Sequence, residues 1–586
     1  MDLNEKIYWQ LADTLRHVST GIESTLLILS YITWWRRSEQ GLLENNLRLD
    51  SQQGKSPAEQ WDAYRQIQDM PASSIKEALF RLPSNSGALD ALIKKVMELG
   101  AQGLLSHWKG DDAGFWATDR ADACGMAPSL ADLLLALIDQ PDTPSIYTPW
   151  DISGQLTARA AGLGHEAWLE APMTALATQI LSVASTNNWQ IVASDPVRAP
   201  RVIENGKLKQ FSSAVAVPPM GVRYERDIAD NDLFDRFTEK TSSGNVLQLQ
   251  HLLAQTLGRI VVVVPNSVLF SVGAERSLRQ DLVERSAIET VIALPTGLFN
   301  GTNISAAILV LNTVQPANQV RFINAADTHF HTLGPQKRTE LTQLGHLLKL
   351  VRREEESSAA IDISAENIRD NDFNLEVARY VLNDVAKKLD QALEQLPLNK
   401  LGEHFEIIRA RQHSTSTSGA VVREALASDI PPYGVTISAT KEALFDLDSP
   451  RAQTYFLQPD DILIAVKGTI GKVGIVPNPP AAGEGGLVAG QSFAVIRSTQ
   501  PARYMPQALL VYLRSEMGQT LLNRLAVGAS QPTIQLSALK DLPVPAISQN
   551  EMAKVAHIVE EEFQIQQQIE QLREKQAALG AQQWAL

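Results

Sequence analysis

Apolar residues recur at helical spacing in the first quarter of the chain. Ile7, Leu11, Leu15 and Val18 mark its beginning and Leu130, Leu133, Leu134 and Leu137 its end, so residues 1–140 are expected to form a helical domain. Pro141, Pro144 and Pro149 then interrupt the pattern. From 141 to 330 short apolar runs alternate with helical spacing. Residues 260–265 (IVVVVP) are too continuously apolar for a half-exposed strand and suit one covered on both faces, as in a parallel sheet. Residues 290–294 and 307–311 are similar, and a helix carrying Ser277, Leu278, Leu282 and Val283 lies between the first two. This alternation predicts an α/β domain built on a doubly wound sheet.

Residues 331–395 read as a charged helical connector that includes Arg352, Arg353, Glu354, Glu355 and Glu356. From 396 to 549 the chain becomes rich in strands and turns, with strands expected at 434–437 and 461–466. Residues 550–586 read as one long helix. Val555, Glu562, Ile569 and Gln576 share one heptad position, and Ile558, Ile565, Leu572 and Leu579 share the other, which alone is consistently apolar. Periodicity leaves two readings open here, a helix-pairing seam or a terminal helix lying on its own domain.

Composition narrows the class. The 586 residues are 44% hydrophobic and 20% charged, ordinary for a soluble globular protein. No apolar run reaches the ~20 residues of a membrane span. The best, residues 26–35, is short, flanked by Glu23 and Arg36, and reads as a buried helix. The first five residues are acidic rather than basic, unlike a signal peptide. A single cysteine, Cys124, excludes an internal disulfide and a cysteine-based metal cluster, and fits a reducing cytoplasm. The net charge of −14 argues against a simple nucleic-acid coat, but it is uneven. Residues 396–550 hold 13 Lys and Arg against 12 Asp and Glu, a net of +1.

Three ordered stretches resemble the modification subunit of type I restriction-modification systems, a family of adenine-N6 DNA methyltransferases. They are 263–275 (VVPNSVLFSVGAE), 292–304 (IALPTGLFNGTNI) and 368–380 (IRDNDFNLEVARY). The helical N-terminal region also looks like that family's N-terminal domain. Further on, 457–473 (LQPDDILIAVKGTIGKV), 490–495 (GQSFAV), 531–534 (QPTI) and 542–545 (LPVP) resemble the specificity subunit of the same systems. One recognition domain and one helix are present, as in half a specificity subunit. The resemblance implies a Rossmann-like methyltransferase core at 141–330, a target-recognition domain at 396–549 and a coiled-coil-type helix at 550–586.

The motifs that would carry chemistry depart from the family pattern. The Asn/Asp-Pro-Pro-aromatic loop, which holds the target amino group and stacks on the flipped base, stands here as Val217, Pro218, Pro219 and Met220. Val217 has no acceptor and Met220 no ring. Losing such a transition-state hydrogen bond costs ~3–4 kcal/mol. The cofactor turn, Asp-Pro-x-Cys-Gly-Ser/Thr-Gly in the family, is placed at 148–154 (TPWDISG). Thr148 replaces its acid and Ile152 its first glycine, a poor exchange where positive φ or close approach is needed. Trp150 adds bulk and Gly154 survives. Glu170 stands where the family's ribose-binding acid follows the second strand, and Asp195 where an acid contacts the adenine amino group. Asn478 and Tyr433 belong to two further Pro-Pro sequences, which read as turns.

In the recognition region Lys467 and Lys472 flank a glycine-rich turn that also holds Thr469, and the resemblance favours DNA contact there over a solvated hairpin. Arg409 and Arg411 are candidates for guanine edges or plain surface charges. Gln531 and Thr533 are expected to fix a loop. His329 and His331 have no evident third ligand, so no metal is expected.

The sequence therefore predicts a DNA-binding pseudo-methyltransferase in a bacterial restriction-like or anti-phage system. No cofactor is expected, unless the S-adenosylmethionine site survives. The expected partners are double-stranded DNA and a second copy or other defence subunits (a nuclease, an ATPase or a true methyltransferase), with no membrane. An active adenine-N6 methyltransferase and an interaction scaffold without DNA binding are the alternatives.

Overall fold

The computed structural model describes residues 3–19, 21–71, 75–83, 87–117, 125–138, 144–184, 188–334, 338–381, 389, 393–410, 419–431, 439, 441–448, 452–527 and 533–583. Cys124, Pro141, Arg411, Tyr433, Gln531 and the strand expected at 434–437 fall outside them. The chain divides into two compact units, Met1–Val381 and Leu382–Leu586.

The first unit opens with helices. Helix α1 (Leu3–Leu15) buries Ile7, Leu11 and Leu15. Helix α2 (Gly21–Glu39) is buried on every side from Leu26 to Trp35, as its lack of a polar face requires. Helices α3 (Ala88–Ala101) and α4 (Pro128–Ile138) complete this layer, and their leucines join the same core as the underside of the sheet.

That sheet has nine strands: β1 (Ser145–Pro149), β2 (Glu166–Ala171), β3 (Trp189–Ala193), β4 (Phe211–Ala216), β5 (Thr256–Pro265), β6 (Ile288–Ala293), β7 (Ala306–Asn312), β8 (Gln319–Asn324) and β9 (Ala360–Ser364). Their order is β9-β8-β6-β7-β5-β4-β1-β2-β3. Helices α5 (Gln155–Gly162), α6 (Ala175–Val183), α7 (Gly244–Gln255) and α8 (Ala274–Glu284) link the strands. Val261 and Val263 face one core, Ile260, Val262 and Val264 the other, the two-sided burial expected of residues 260–265.

The sheet is not parallel throughout. Strand β7 is antiparallel to both β5 and β6 and lies between them, so β5, α8 and β6 do not form an adjacent βαβ pair. The segment after β6 turns back, and β7, buried along its whole length, fills the gap. The connector expected at 331–395 is also corrected. Strand β9 pairs antiparallel with β8, and helix α9 (Leu344–Val351) buries Leu347, Leu350 and Val351. Asp362 on β9 binds Arg321 at 2.8 Å and Arg353 at 3.0 Å, so part of the charged run ties the sheet edge down.

In the second unit β10 (Phe405–Arg409), β13 (Asp461–Ala465), β14 (Val473–Val476) and β16 (Phe493–Ser498) form an antiparallel sheet in the order β10-β16-β13-β14. Strands β11 (Ala420–Ala425), β12 (Lys441–Phe445) and β15 (Leu487–Ala489) form a second sheet. Helices α10 (Pro506–Arg514) and α11 (Glu516–Leu525) pack on the first. Helix α12 (Gln549–Gln583) follows, and Val559, Phe563 and an Arg514–Glu562 pair at 3.0 Å fasten its early turns to this unit.

Candidate functional site

In the nine-stranded sheet the chain order reverses between β1 and β4, each parallel to its neighbour. Open α/β sheets bind ligands in the crevice at the carboxyl ends of strands at such a point. A cavity of about 460 Å³ opens there, lined by the turn after β1, the segments after β2 and β4, and residues 299–304. Val217, Pro218, Pro219 and Met220 form one wall, as the resemblance places them. Facing groups include Trp150, Ile152, Met173 and Phe299. Phe299 is held by a bridge to Met126, and Ala127 donates to the Leu298 carbonyl at 2.8 Å.

Gly154, Glu170 and Asp195 do not line this cavity. Gly154 has φ +70°, and a Cβ there would sit 2.8 Å from the Ala177 Cα, so its need for glycine is explained by close packing of α5 on α6. Glu170 is wholly buried. Its Oε2 accepts from the Tyr147 hydroxyl at 2.5 Å, and its Oε1 from the Ser194 hydroxyl at 2.5 Å and the Arg201 backbone N–H at 2.6 Å. Asp195 accepts from the backbone N–H groups of Val197 and Arg198 and from the Arg198 guanidinium at 2.9 Å.

A third carboxylate, Asp151, carried no signal of its own in the sequence reading. It sits at the start of α5 and accepts from the N–H groups of Gln155 and Thr157 and the hydroxyls of Ser153 and Thr157, at 2.8–3.1 Å. A helix N-terminus is a natural anion site, and here the chain supplies the anion. Burial pushes the Asp151 carboxyl above the usual range, against those hydrogen bonds. Trp150, beside it, is buried with φ +61°, a strained conformation for a side chain of that size.

Behind the cavity a buried chain of polar groups links distant segments. Asp232 holds Arg236 at 2.7 Å, and Arg236 donates to His251 Nδ1 at 3.0 Å. Because a guanidinium only donates, Nδ1 is the acceptor and Nε2 carries the proton toward the Tyr147 oxygen at 3.0 Å. Tyr147 passes its own proton's bond to Glu170. Burial, then the Arg236 charge, hold the His251 pKa well below its ordinary value, and burial with the Glu170 charge raises that of Tyr147. Sequence reasoning missed this network, whose members are brought together only by the fold.

The remaining resemblance stretches have structural work. Arg279 donates to the carbonyls of Val268 and Phe373, each at 2.7 Å, and the Leu375 N–H to Leu269, so the first and third stretches clamp together. His331 Nδ1 lies 3.0 Å from the Asp327 carbonyl and His329 packs on Phe330.

In the second unit, Arg409 and Ile464 flank Ala494 in register, so Arg409 and the loop carrying Lys467, Thr469 and Lys472 share one end of the sheet. Arg409, Lys467 and Thr469 are exposed. Lys472 instead donates to the Ala427 carbonyl at 2.8 Å. The turn needs its glycines, Gly468 and Gly471 having φ +76° and +85°. Thr533 bridges Lys467, as a loop-fixing residue would. Asp461, buried, accepts from Arg497 at 2.7 and 2.8 Å and from the Gln458 N–H, which accounts for 457–464 as a structural signature. A larger cavity of about 660 Å³, lined by the stacked His404 and Tyr504 among others, touches none of the expected residues.

A largely parallel sheet with one antiparallel strand inside it and another at its edge, wound around a carboxyl-end crevice, defines a Rossmann-like fold of the methyltransferase type. The crystal structure of the type I restriction-modification methyltransferase subunit from Streptococcus thermophilus shares it, with a TM-score of 0.54 and 17% identity over 64% of this chain and 98% of that one. Residues 163–388 match the N-6 DNA Methylase family. Among its relatives are the MpnII methylase subunit of Mycoplasma pneumoniae, 26% identical over 227 residues, and the EcoKI methylase subunit of Escherichia coli K12, 26% identical over 248. The matches cover 36% and 40% of this chain and only 39% and 45% of those relatives.

Proposed function

We propose that this chain is a DNA-binding pseudo-methyltransferase with a fused sequence-recognition module, serving a bacterial restriction-like defence system in which partner subunits supply any nuclease, motor or methyl transfer. The observation that carries the reading is the fate of the polar groups around the crevice. Asp151 in the cavity lining accepts hydrogen bonds from the chain itself, Glu170 and Asp195 lie away from the cavity with partners of their own, and Val217 stands in the wall where the family places its catalytic polar residue. Binding a cofactor there means breaking buried hydrogen bonds, each unmade one costing ~1–3 kcal/mol.

DNA is the proposed ligand of the end of the second unit that carries Arg409, Lys467 and Thr469, with Lys472 supporting the loop. A second copy is the proposed partner of helix α12. Its apolar row, Ile558, Ile565, Leu572 and Leu579, is 43, 56, 64 and 69% exposed, whereas its contacts to its own unit use Val559 and Phe563.

An open cavity of about 460 Å³ at the switch point favours the second reading, an active adenine-N6 methyltransferase. Calorimetric titration with S-adenosylmethionine, with and without duplex DNA, separates the two. The expected result is no binding in either case. Micromolar binding followed by adenine methylation would overturn the pseudoenzyme.

A further inference from the structure

Resting on the reading of this chain as a DNA-binding pseudo-methyltransferase, we infer that the cavity beside Val217 receives an adenine extruded from DNA and holds it more tightly when its N6 nitrogen already carries a methyl group. The site lies at the carboxyl ends of β1 and β4, and its volume of about 460 Å³ is that of a ligand pocket. A base reaches such a site only by leaving the stack. Trp150, Ile152, Met173, Met220 and Phe299 give it flat and adaptable apolar walls suited to an aromatic ring.

The selectivity follows from what the walls lack. An unmodified adenine brings two amino N–H groups that must find acceptors once water is stripped away. Val217 offers none. The polar side chains nearby already have partners: Asp151 and Ser153 at the start of α5, Asn300 Nδ2 donating to the Phe115 and Ala117 carbonyls, and Thr302 accepting from the Ile304 N–H. A methylated amino group has one N–H fewer to leave unpaired, and its methyl packs against an apolar wall. One buried methyl corresponds to about fourfold in affinity and one hydrogen bond left unmade to about fivefold, so a preference of at least about tenfold is expected. The chain would thus bind the product of adenine-N6 methylation performed by another enzyme.

The test uses the full chain and two random-sequence duplex pools copied from the same templates, one with dATP and one with N6-methyl-dATP. The pools are mixed in equal amounts and offered to limiting immobilised protein, and the retained DNA is digested and its nucleosides measured by mass spectrometry. Enrichment of N6-methyldeoxyadenosine by about tenfold is expected, together with its loss in a V217N variant whose urea-unfolding curve matches the parent. Retention of both pools without enrichment overturns this inference and leaves the DNA-binding reading standing. Enrichment that survives V217N also overturns it, by placing the selectivity elsewhere. Retention of neither pool removes the DNA-binding reading and this inference with it.

Discussion

Glu170 is held by Tyr147, Ser194 and the Arg201 N–H within a buried network, so its removal should be felt in stability before any other property. Glu170→Ala leaves those donors without a partner, and a loss of roughly 3 kcal/mol is expected from urea unfolding. A residue serving only a dissociable cofactor would show almost none. His251 gives a pH signature. Its pKa is depressed in the folded state, so it contributes stability above its unfolded value of 6.5, and this is lost as pH falls from there toward the folded pKa. Comparing His251→Gln with the parent at pH 7 and pH 5.5, the parent should lose about 1.4 kcal/mol more per pH unit below that value. At this scale the sequence was legible in kind and not in partners. Glu170 could be placed after the second strand, but its contacts are 23, 24 and 31 residues away, and His251 reaches Tyr147 across 104. Motif spacing conveys where a group sits along a strand, not which distant donors close around it.

Helix α12 and the turn before α5 carry the predictions for single elements. If the exposed row on α12 pairs two copies, Leu572→Glu with Leu579→Glu should convert a dimer to a monomer by light scattering, with the unfolding midpoint of the rest of the chain unchanged. Gly154→Ala places a Cβ 2.8 Å from a backbone atom at φ +70°, and a loss of about 1–3 kcal/mol is expected in urea unfolding. Elements were legible where one periodicity ran long enough. The β-branched run in β5, the all-round apolar α2 and the long α12 all stand where the pattern put them. The antiparallel sense of β7 was not, because a strand buried on both faces has the same composition in either direction. Strand β9 was hidden by charges, since Asp362 pairs with Arg321 and Arg353 at a sheet edge and reads in sequence as a solvated run.

For the whole molecule, a net charge of −14 would confine the proposed DNA binding to one near-neutral region. Three phosphate contacts would weaken association by about 40-fold between about 50 and 200 mM salt, which fluorescence anisotropy on duplex DNA can measure; a flat dependence would favour the scaffold alternative. The chain divides into two compact units where the sequence suggested five segments, and the family resemblance rests on motifs that prove to be packing devices, such as Arg279 with Val268 and Phe373, as much as chemical ones. Asp151, satisfied by its own chain in the wall of the crevice, has a further consequence. A protein that needs a metabolite to satisfy its cleft has a folded fraction that rises and falls with that metabolite by mass action. A cleft whose acid is satisfied from within has no such dependence. If the cofactor site is lost as proposed, a cell starved of methionine should keep as much of this chain folded as a well-fed one.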